Sequence, residues 1–300
     1  MKILLTGASG LLGRYLLPML RADSDVKTLQ RRGADFCCDL AEDVPQLGGE
    51  RFDMVIHAAG SFDESEAFRV NYDGTAHLLE ALEAHHPRQI IFLSSWEVYS
   101  PDAGENVEET HQTWASSKVG QSKARAEQLL AGWCAERNVT LTILRPARMM
   151  GKGVKGEMRT LFNDVATGRY IHVRGNDARL SLVCALDVAK AIKNLGFIGG
   201  IYNVADDAPS RWIDLAEAMS ANCGAMKRQT FLPEKWADAA WRFTPWLPAV
   251  KASLSPDVRA RRSKSLTLSS GALKEVLPQW MAFPTVDVVS RTDKDYPYED

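Results

Sequence analysis

The first thirteen residues constrain this chain more than any others. Met1-Lys2-Ile3-Leu4-Leu5-Thr6 is a strand-length apolar run that passes directly into Gly7-Ala8-Ser9-Gly10-Leu11-Leu12-Gly13 and an apolar, helix-length stretch reaching about Leu20. Glycine lets the turn tighten and lets a backbone approach a ligand, while the helix that follows offers unpaired N–H groups and the positive end of its dipole. Strand, glycine-spaced turn and helix in this order form the arrangement that cradles a dinucleotide pyrophosphate. Gly7, Ser9, Gly10, Leu11, Leu12 and Gly13 are therefore the first candidate cofactor contacts.

The same alternation continues downstream. Strand-like runs over 3–5, 26–30, 54–57, 90–93 and 141–144 are separated by helical stretches at 11–20, 75–84 and 121–135. Such alternation predicts right-handed βαβ units, an α/β fold with a parallel sheet covered on both faces, and a ligand at the carboxyl ends of the strands. A length of 300 residues with 45% hydrophobic content suffices for one large core and a smaller lobe. The net charge of -2 leaves no basic surface suited to nucleic acid. No charged leader with a following apolar region is present, and the apolar runs are of strand length, so the expectation is a cytoplasmic protein with no membrane partner. The five cysteines, Cys37 and Cys38 among them, show no zinc spacing and read as reduced thiols; the six histidines add no ligand pattern, and no metal is expected.

Further motifs follow in chain order: Asp39-Leu40, then Val55-Ile56-His57-Ala58-Ala59-Gly60, Asn71-Tyr72-Asp73-Gly74-Thr75, Ile90 to Tyr99 through Ser94-Ser95-Trp96-Glu97, Arg145-Pro146, Gly151 and Asp187-Val188-Ala189. Together with the GxxGxxG turn, this series resembles the extended branch of the short-chain dehydrogenase/reductase superfamily, the NAD(P)-dependent epimerases and dehydratases. The resemblance implies a Rossmann-type doubly wound parallel sheet over residues 1–150 with a return near 180–205. It also implies a smaller C-terminal substrate lobe from 151–179 and 206–300. Asp39 and Leu40 would lie beside the adenine, with Ala58, Ala59, Gly60, Asn71, Lys123 and Pro146 along the rest of the cofactor. The implied substrate is a nucleotide-linked small molecule, in an enzyme of the epimerase, dehydratase or reductase type. Many relatives dimerise through a four-helix bundle, here the helices around Thr75 and Gln121, and Val119, Ala126, Leu129, Leu130 and Trp133 would suit burial in a homodimer.

The end of the second strand reads Gln30-Arg31-Arg32. A carboxylate there would receive the ribose hydroxyls of NAD, whereas a guanidinium fork suits the 2′-phosphate of NADP. Arg31 and Arg32 therefore favour NADP(H). The alternative is a solvated arginine turn over a site that accepts NAD(H) through its backbone.

At the catalytic centre the chain departs from the family. The family's tyrosine and lysine, four residues apart, fall on Val119 and Lys123 in the stretch Val119-Gly120-Gln121-Ser122-Lys123-Ala124-Arg125-Ala126-Glu127. Residues four apart share a helix face, so the missing phenol would have stood beside the lysine. Valine can neither give nor take a proton. By the resemblance, Lys123 can still hold the nicotinamide ribose and Ser95 can still donate to a substrate oxygen. Glu97 lies where the 4,6-dehydratases of the family carry a proton-abstracting glutamate, although their adjacent aspartate is Trp96 here. Glu97, Tyr99 and Lys123 are the candidate proton carriers. Two readings stay open: an enzyme with an atypical proton donor, or a cofactor-binding regulatory or scaffold protein impaired in catalysis.

The second half offers scattered cations, Arg148, Lys152, Lys155, Arg159, Arg174 and Arg179, that suit a diphosphate. Trp212, Trp236, Trp241 and Trp246 read either as stacking platforms or as core, and the tract Phe231 to Pro248 as a lid or a hydrophobic contact with another protein.

Overall fold

The computed structural model describes residues 1–222 and 230–290. Its elements run β1 (Lys2–Thr6), α1 (Leu11–Arg21), β2 (Asp25–Gln30), β3 (Phe36–Cys37) and β4 (Met54–His57), then a π-helical turn over Arg69–Asp73 that leads into α2 (Gly74–Ala81). Next come β5 (Gln89–Leu93), a 3₁₀ turn at Trp96–Val98, β6 (Gly104–Val107), α3 (Lys118–Arg137), β7 (Thr140–Pro146), β8 (Arg148–Met150), α4 (Gly156–Ala166), β9 (Ile171–Arg174), β10 (Arg179–Leu180), β11 (Leu182–Cys184), α5 (Ala185–Asn194) and β12 (Gly200–Val204). The chain continues through β13 (Ser210–Arg211), α6 (Trp212–Asn222), β14 (Thr230–Pro233), α7 (Glu234–Phe243), α8 (Pro248–Leu254), α9 (Pro256–Arg262), β15 (Leu266–Leu268), α10 (Gly271–Val276) and α11 (Thr285–Ser290).

Seven parallel strands form the main sheet in the order β12-β7-β5-β4-β1-β2-β3. From β1 the chain first moves outward to β2 and β3, then returns to β4 on the other side of β1. The strand order thus reverses between β1 and β4, and at such a switch point the connections diverge and open a crevice at the carboxyl ends. Burial on both faces explains the unbroken apolar run of β1. Ile3 and Leu5 pack with Leu12, Leu16 and Leu20 of α1 and with Val188, Ala191 and Ile192 of α5, while Leu4 faces Val55, Leu78, Phe92, Ala126 and Leu130 on the other side. Leu12, Leu16 and Leu20 recur every four residues, which puts them on one stripe of α1.

The second half adds two smaller cores, one around Met158, Leu161, Trp212, Leu215 and Met219, the other around Val173, Ala237, Val250 and Leu254. Two sequence expectations differ here. The helix predicted to reach residue 84 ends at Ala81, where the Leu82 N–H bonds back to the Leu79 carbonyl at 3.1 Å and the turn tightens. Tyr202 lies in β12 at the sheet edge, but Asp187 stands in the first turn of α5. There Asp187 accepts from the Phe283 N–H at 3.2 Å and pairs with Lys190 at 3.2 Å. The tract from Phe231 to Pro248 is mainly α7 flanked by β14 and a turn.

Val119, Ala126, Leu130 and Trp133 are buried within the chain itself, the last three against the central sheet. Among the described residues Cys37, Cys38, Cys134 and Cys184 are free thiols, and no group of His, Cys, Asp or Glu has metal-ligand geometry. Cys223 lies outside the described residues.

Candidate active site

The turn between β1 and α1 is built around backbone that no side chain can share. Gly7 has φ 73°, and a Cβ there would lie 2.6 Å from the carbonyl carbon and oxygen of Ala58; a Cβ on Gly13 would lie 2.4 Å from the Gly7 carbonyl oxygen and 2.5 Å from that of Ala8. Only glycine fits either position. The Gly10 N–H donates to the Gly7 carbonyl at 2.9 Å, closing the turn, and Gly10 then serves as N-cap of α1 without a capping side chain. The first-turn N–H groups of α1, from Leu11, Leu12 and Gly13, are left without a side-chain acceptor at the switch-point crevice, where the dipole favours an anion. Ser9 and Gly10 are exposed beside them. This surface fits a dinucleotide pyrophosphate.

Beneath the cradle, His57 is fully buried at the end of β4. Its Nδ1 lies 2.8 Å from Thr6 Oγ1 and its Nε2 3.0 Å from Thr75 Oγ1. Thr75 donates its own hydroxyl proton to the Asn71 carbonyl at 2.7 Å, so it accepts from Nε2–H; Nδ1 accepts from Thr6, which in turn accepts the Ala59 N–H at 3.0 Å. The network assigns a neutral imidazole, and burial, with Lys123 nearby, holds its pKa down to about 3. His57 therefore splices β1, β4 and α2 beneath Ala58 and Ala59. Sequence reading assigned no role to His57, Thr6 or Thr75; the signal was a histidine inside an otherwise apolar strand.

Asn71 sits in the π-helical turn, a local geometry often found at functional sites. Its Oδ1 accepts from the Ser61 N–H at 2.8 Å, and its Nδ2 donates to the Ser61 carbonyl and to Ser122 Oγ, both at 3.0 Å. That clamp fixes the chain just after Gly60 and ties it to α3, one residue before Lys123. Lys123 is 5% exposed and donates from Nζ to the Leu93 carbonyl at 2.8 Å. Burial lowers its pKa to about 8, against the opposing pull of Glu127.

Ser95, two residues past β5, caps the 3₁₀ turn by accepting from the Glu97 N–H at 3.1 Å. The Glu97 carboxylate accepts from Ser117 Oγ at 2.7 Å, and Ser117 is also the N-cap of α3. Burial raises the Glu97 carboxyl pKa, partly offset by Ser117 and Arg148. Arg148 is stacked 3.7 Å over the Trp96 ring and bonded to Glu157 at 3.3 Å. Gly120 allows the close approach of α3 to this turn: a Cβ there would lie 2.0 Å from the Glu97 carbonyl oxygen. Val119 is 2% exposed, one helical turn before Lys123.

Tyr99 points into the fold instead. It is 1% exposed; its hydroxyl donates to Asn203 Oδ1 at 2.8 Å and accepts from Arg145 Nη1 at 2.9 Å. Arg145 in turn pairs with Glu127 through Nε at 3.0 Å and Nη2 at 2.6 Å, and Ser94 donates to the same carboxylate. This buried chain of polar groups joins β5, α3, β7 and β12, and sequence reading did not anticipate its partners.

The remaining candidates lie around the cradle. Arg31 and Arg32 are exposed past the end of β2 and make no ion pair with a described residue. The carboxylate nearest in sequence, Asp35, is occupied by the Thr28 N–H and hydroxyl, both at 2.9 Å. Asp39 accepts from the Ala41 N–H at 3.1 Å, and Leu40 is buried with its carbonyl 2.7 Å from His77 Nδ1. Pro146 is buried at the end of β7.

Residues 3–205 match the model of the NAD dependent epimerase/dehydratase family. The chain belongs to that family. It is similar, at 28% identity over 226 residues, to the N-acetyl-alpha-D-glucosaminyl-diphospho-ditrans,octacis-undecaprenol 4-epimerase of Escherichia coli O157:H7, with 68% of this chain and 67% of that protein covered. Among solved structures it shares its fold with RMD from Pseudomonas aeruginosa complexed with NADPH (20% identity, TM-score 0.73, 97% of each chain). MoeE5 in complex with UDP-glucuronic acid and NAD has the same fold (17% identity, TM-score 0.73, 97% of each chain). Among the described residues no helix is long and apolar enough to cross a membrane.

Proposed function

We propose that this family member is an NADP(H)-dependent enzyme acting on a sugar carried on a diphosphate, with Glu97 in place of the missing tyrosine as proton carrier. The observation that carries the reading is the pairing of a half-buried, charge-disfavoured Glu97 carboxyl with Ser117 at the mouth of α3, next to Ser95 and with Val119 where a phenol would stand. A carboxyl whose pKa is raised by burial retains its proton closer to neutrality, as a general acid requires.

The bound nicotinamide would supply or accept the hydride. The pyrophosphate would rest on the backbone of Gly7 to Gly13, the 2′-phosphate on Arg31 and Arg32, and the ribose on Lys123. Asp39 and Leu40 would flank the adenine, and Ala58, Ala59, Gly60, Asn71 and Pro146 would line the remaining path. Ser95 would donate to the reacting sugar oxygen, Glu97 would hold or return its proton, and Arg148 would meet the diphosphate. Support for the substrate class comes from the relatives: one is named for a glycosyl diphosphate on undecaprenol and one structure holds UDP-glucuronic acid, so a sugar on a diphosphate is common to both. The protein would work in the cytoplasm as a homodimer, residues 151–179 and 206–300 forming the substrate lobe.

Val119 also favours a second reading, a cofactor-binding scaffold or regulator without turnover. The deciding experiment mixes the protein, NADPH or NADP, and a panel of UDP- and dTDP-sugars, and follows C4 configuration and carbonyl reduction by NMR. Turnover by the wild type, with a loss of about 100-fold or more in Glu97→Gln at unchanged NADPH affinity, is the expected result. Tight NADPH binding with no turnover on any sugar would favour the scaffold, and unimpaired turnover in Glu97→Gln would remove Glu97 from the chemistry.

A further inference from the structure

The exposed aromatic side chains are not scattered evenly over this molecule. Phe231, Trp236, Phe243, Trp246 and Leu247, each between 43% and 72% exposed, fall within seventeen residues of β14, α7 and the turn that follows. Helix α7 sorts its residues by face. Ala237, Ala240 and Trp241 turn inward to the small core with Val173, Val250 and Leu254. Trp236 and Phe243, seven residues apart, project about 20° from one another on the outer side. Lys235 and Arg242, also seven apart, form the adjoining edge at the same angular separation.

Basic side chains outnumber acidic ones on this surface. Between residues 231 and 251 the acidic side chains are Glu234 and Asp238, and Arg259 of α9 binds both, Glu234 at 2.6 Å. The basic side chains of the same stretch are Lys235, Arg242 and Lys251; all three are exposed and none makes an ion pair with a described residue. Both acids stay exposed, Asp238 at 83% on the same side of α7 as Lys235 and Arg242, but with Arg259 counted the cations outnumber them, and the face presents tryptophan and phenylalanine edged by an excess of positive charge. Tryptophan sits well at a boundary that is apolar on one side and wet on the other, and each cation near an anionic lipid surface adds about fivefold to partitioning.

We propose that this face of α7, continued through Phe231, Trp246 and Leu247, docks the protein peripherally on an anionic phospholipid surface. The expectation of no membrane partner rested on the lack of a spanning run, and a helix lying in the interface needs none. The inference is independent of the chemistry proposed for the site, since none of these residues belongs to the cofactor cradle or the Glu97 cluster.

The test is co-sedimentation of the full chain with vesicles of phosphatidylcholine alone and of phosphatidylcholine with roughly one-third phosphatidylglycerol. Binding is expected to the mixed vesicles only, falling about tenfold or more in Lys235→Glu/Arg242→Glu and in Trp236→Ser/Phe243→Ser/Trp246→Ser. As a second measurement on the wild type, brominated lipid in the mixed vesicles is expected to quench tryptophan emission. Failure to sediment with the mixed vesicles, or equal sedimentation of wild type and both variants, would overturn the proposal. So would a wild-type dimer that the serine variant converts to monomer, since a second copy would then cover the face.

Discussion

Gly60 and Lys123 share one space: a methyl group on the Gly60 Cα would lie 2.9 Å from Lys123 Nζ and 3.0 Å from Asn71 Oδ1. A side chain at the glycine of the Ala58-Ala59-Gly60 strand end would thus have to displace the lysine that reaches beneath it. Gly60→Ala is expected to push Nζ away from the Leu93 carbonyl and to loosen the Asn71 clamp on Ser61. NADPH affinity should fall by about tenfold, as for loss of one charge-assisted contact, with a Tm change of only a few degrees. Isothermal titration calorimetry and a thermal melt check both.

The same lysine costs stability in the cofactor-free protein. Its pKa is about 8 in the fold against 10.5 as the ordinary value, so between those pH values the unfolded chain binds more protons and folding stability rises with pH. Below about pH 8 both states carry the charge and the fold bears the full desolvation. Lys123→Met, of similar length and uncharged, should therefore stabilise the cofactor-free protein at pH 7 by on the order of 2–3 kcal/mol and flatten the rise between pH 8 and 10. Urea melts across that range measure it. The variant should at the same time lose most of its NADPH binding, which is the usual exchange of function for stability at a site.

What could be read in advance was what a local rule enforces. Gly7 and Gly13 betray themselves because any Cβ would collide with neighbouring backbone, and the parallel sheet shows in strand-length apolar runs buried on both faces. The joining of Glu127, Arg145, Tyr99 and Asn203 was invisible, because its members are up to 104 residues apart and follow no period. In α7 the tryptophans read more readily as core than as platform. Only the tertiary packing of Ala237, Ala240 and Trp241 decides which side of the helix stays outside.

Arg31 and Arg32 stand exposed without ionic partners among the described residues, whereas Asp35 is committed to Thr28 and is held below the usual carboxylate range by those hydrogen bonds. A guanidinium fork with no free carboxylate beside it is the basis on which NADP(H) is proposed. Arg31→Asp should lower NADPH affinity by about 10- to 100-fold, the range for one charged hydrogen bond to a phosphate, and leave NADH affinity equal or higher. Unchanged preference in parallel titrations with the two nucleotides would withdraw the assignment of NADP(H).

Tyr99 offers a sharper division between structure and chemistry. Its hydroxyl links the Arg145 and Asn203 side chains directly; Glu109 gives a second link, its carbonyl accepting from Arg145 at 3.3 Å and its carboxylate from the Asn203 N–H at 2.6 Å, and Asn203 also donates to the Val107 carbonyl at 2.9 Å. Removing the hydroxyl leaves Asn203 Oδ1 buried without that donor, a loss of about 1–3 kcal/mol. It leaves the Glu127–Arg145 pair intact, because two other guanidinium nitrogens carry that contact. Tyr99→Phe should therefore lower Tm by several degrees while turnover at a temperature where the variant is folded stays within about threefold of wild type. A collapse of kcat with an unchanged melt would instead move the phenol into the reaction, and Glu97 would no longer be needed as the proton carrier.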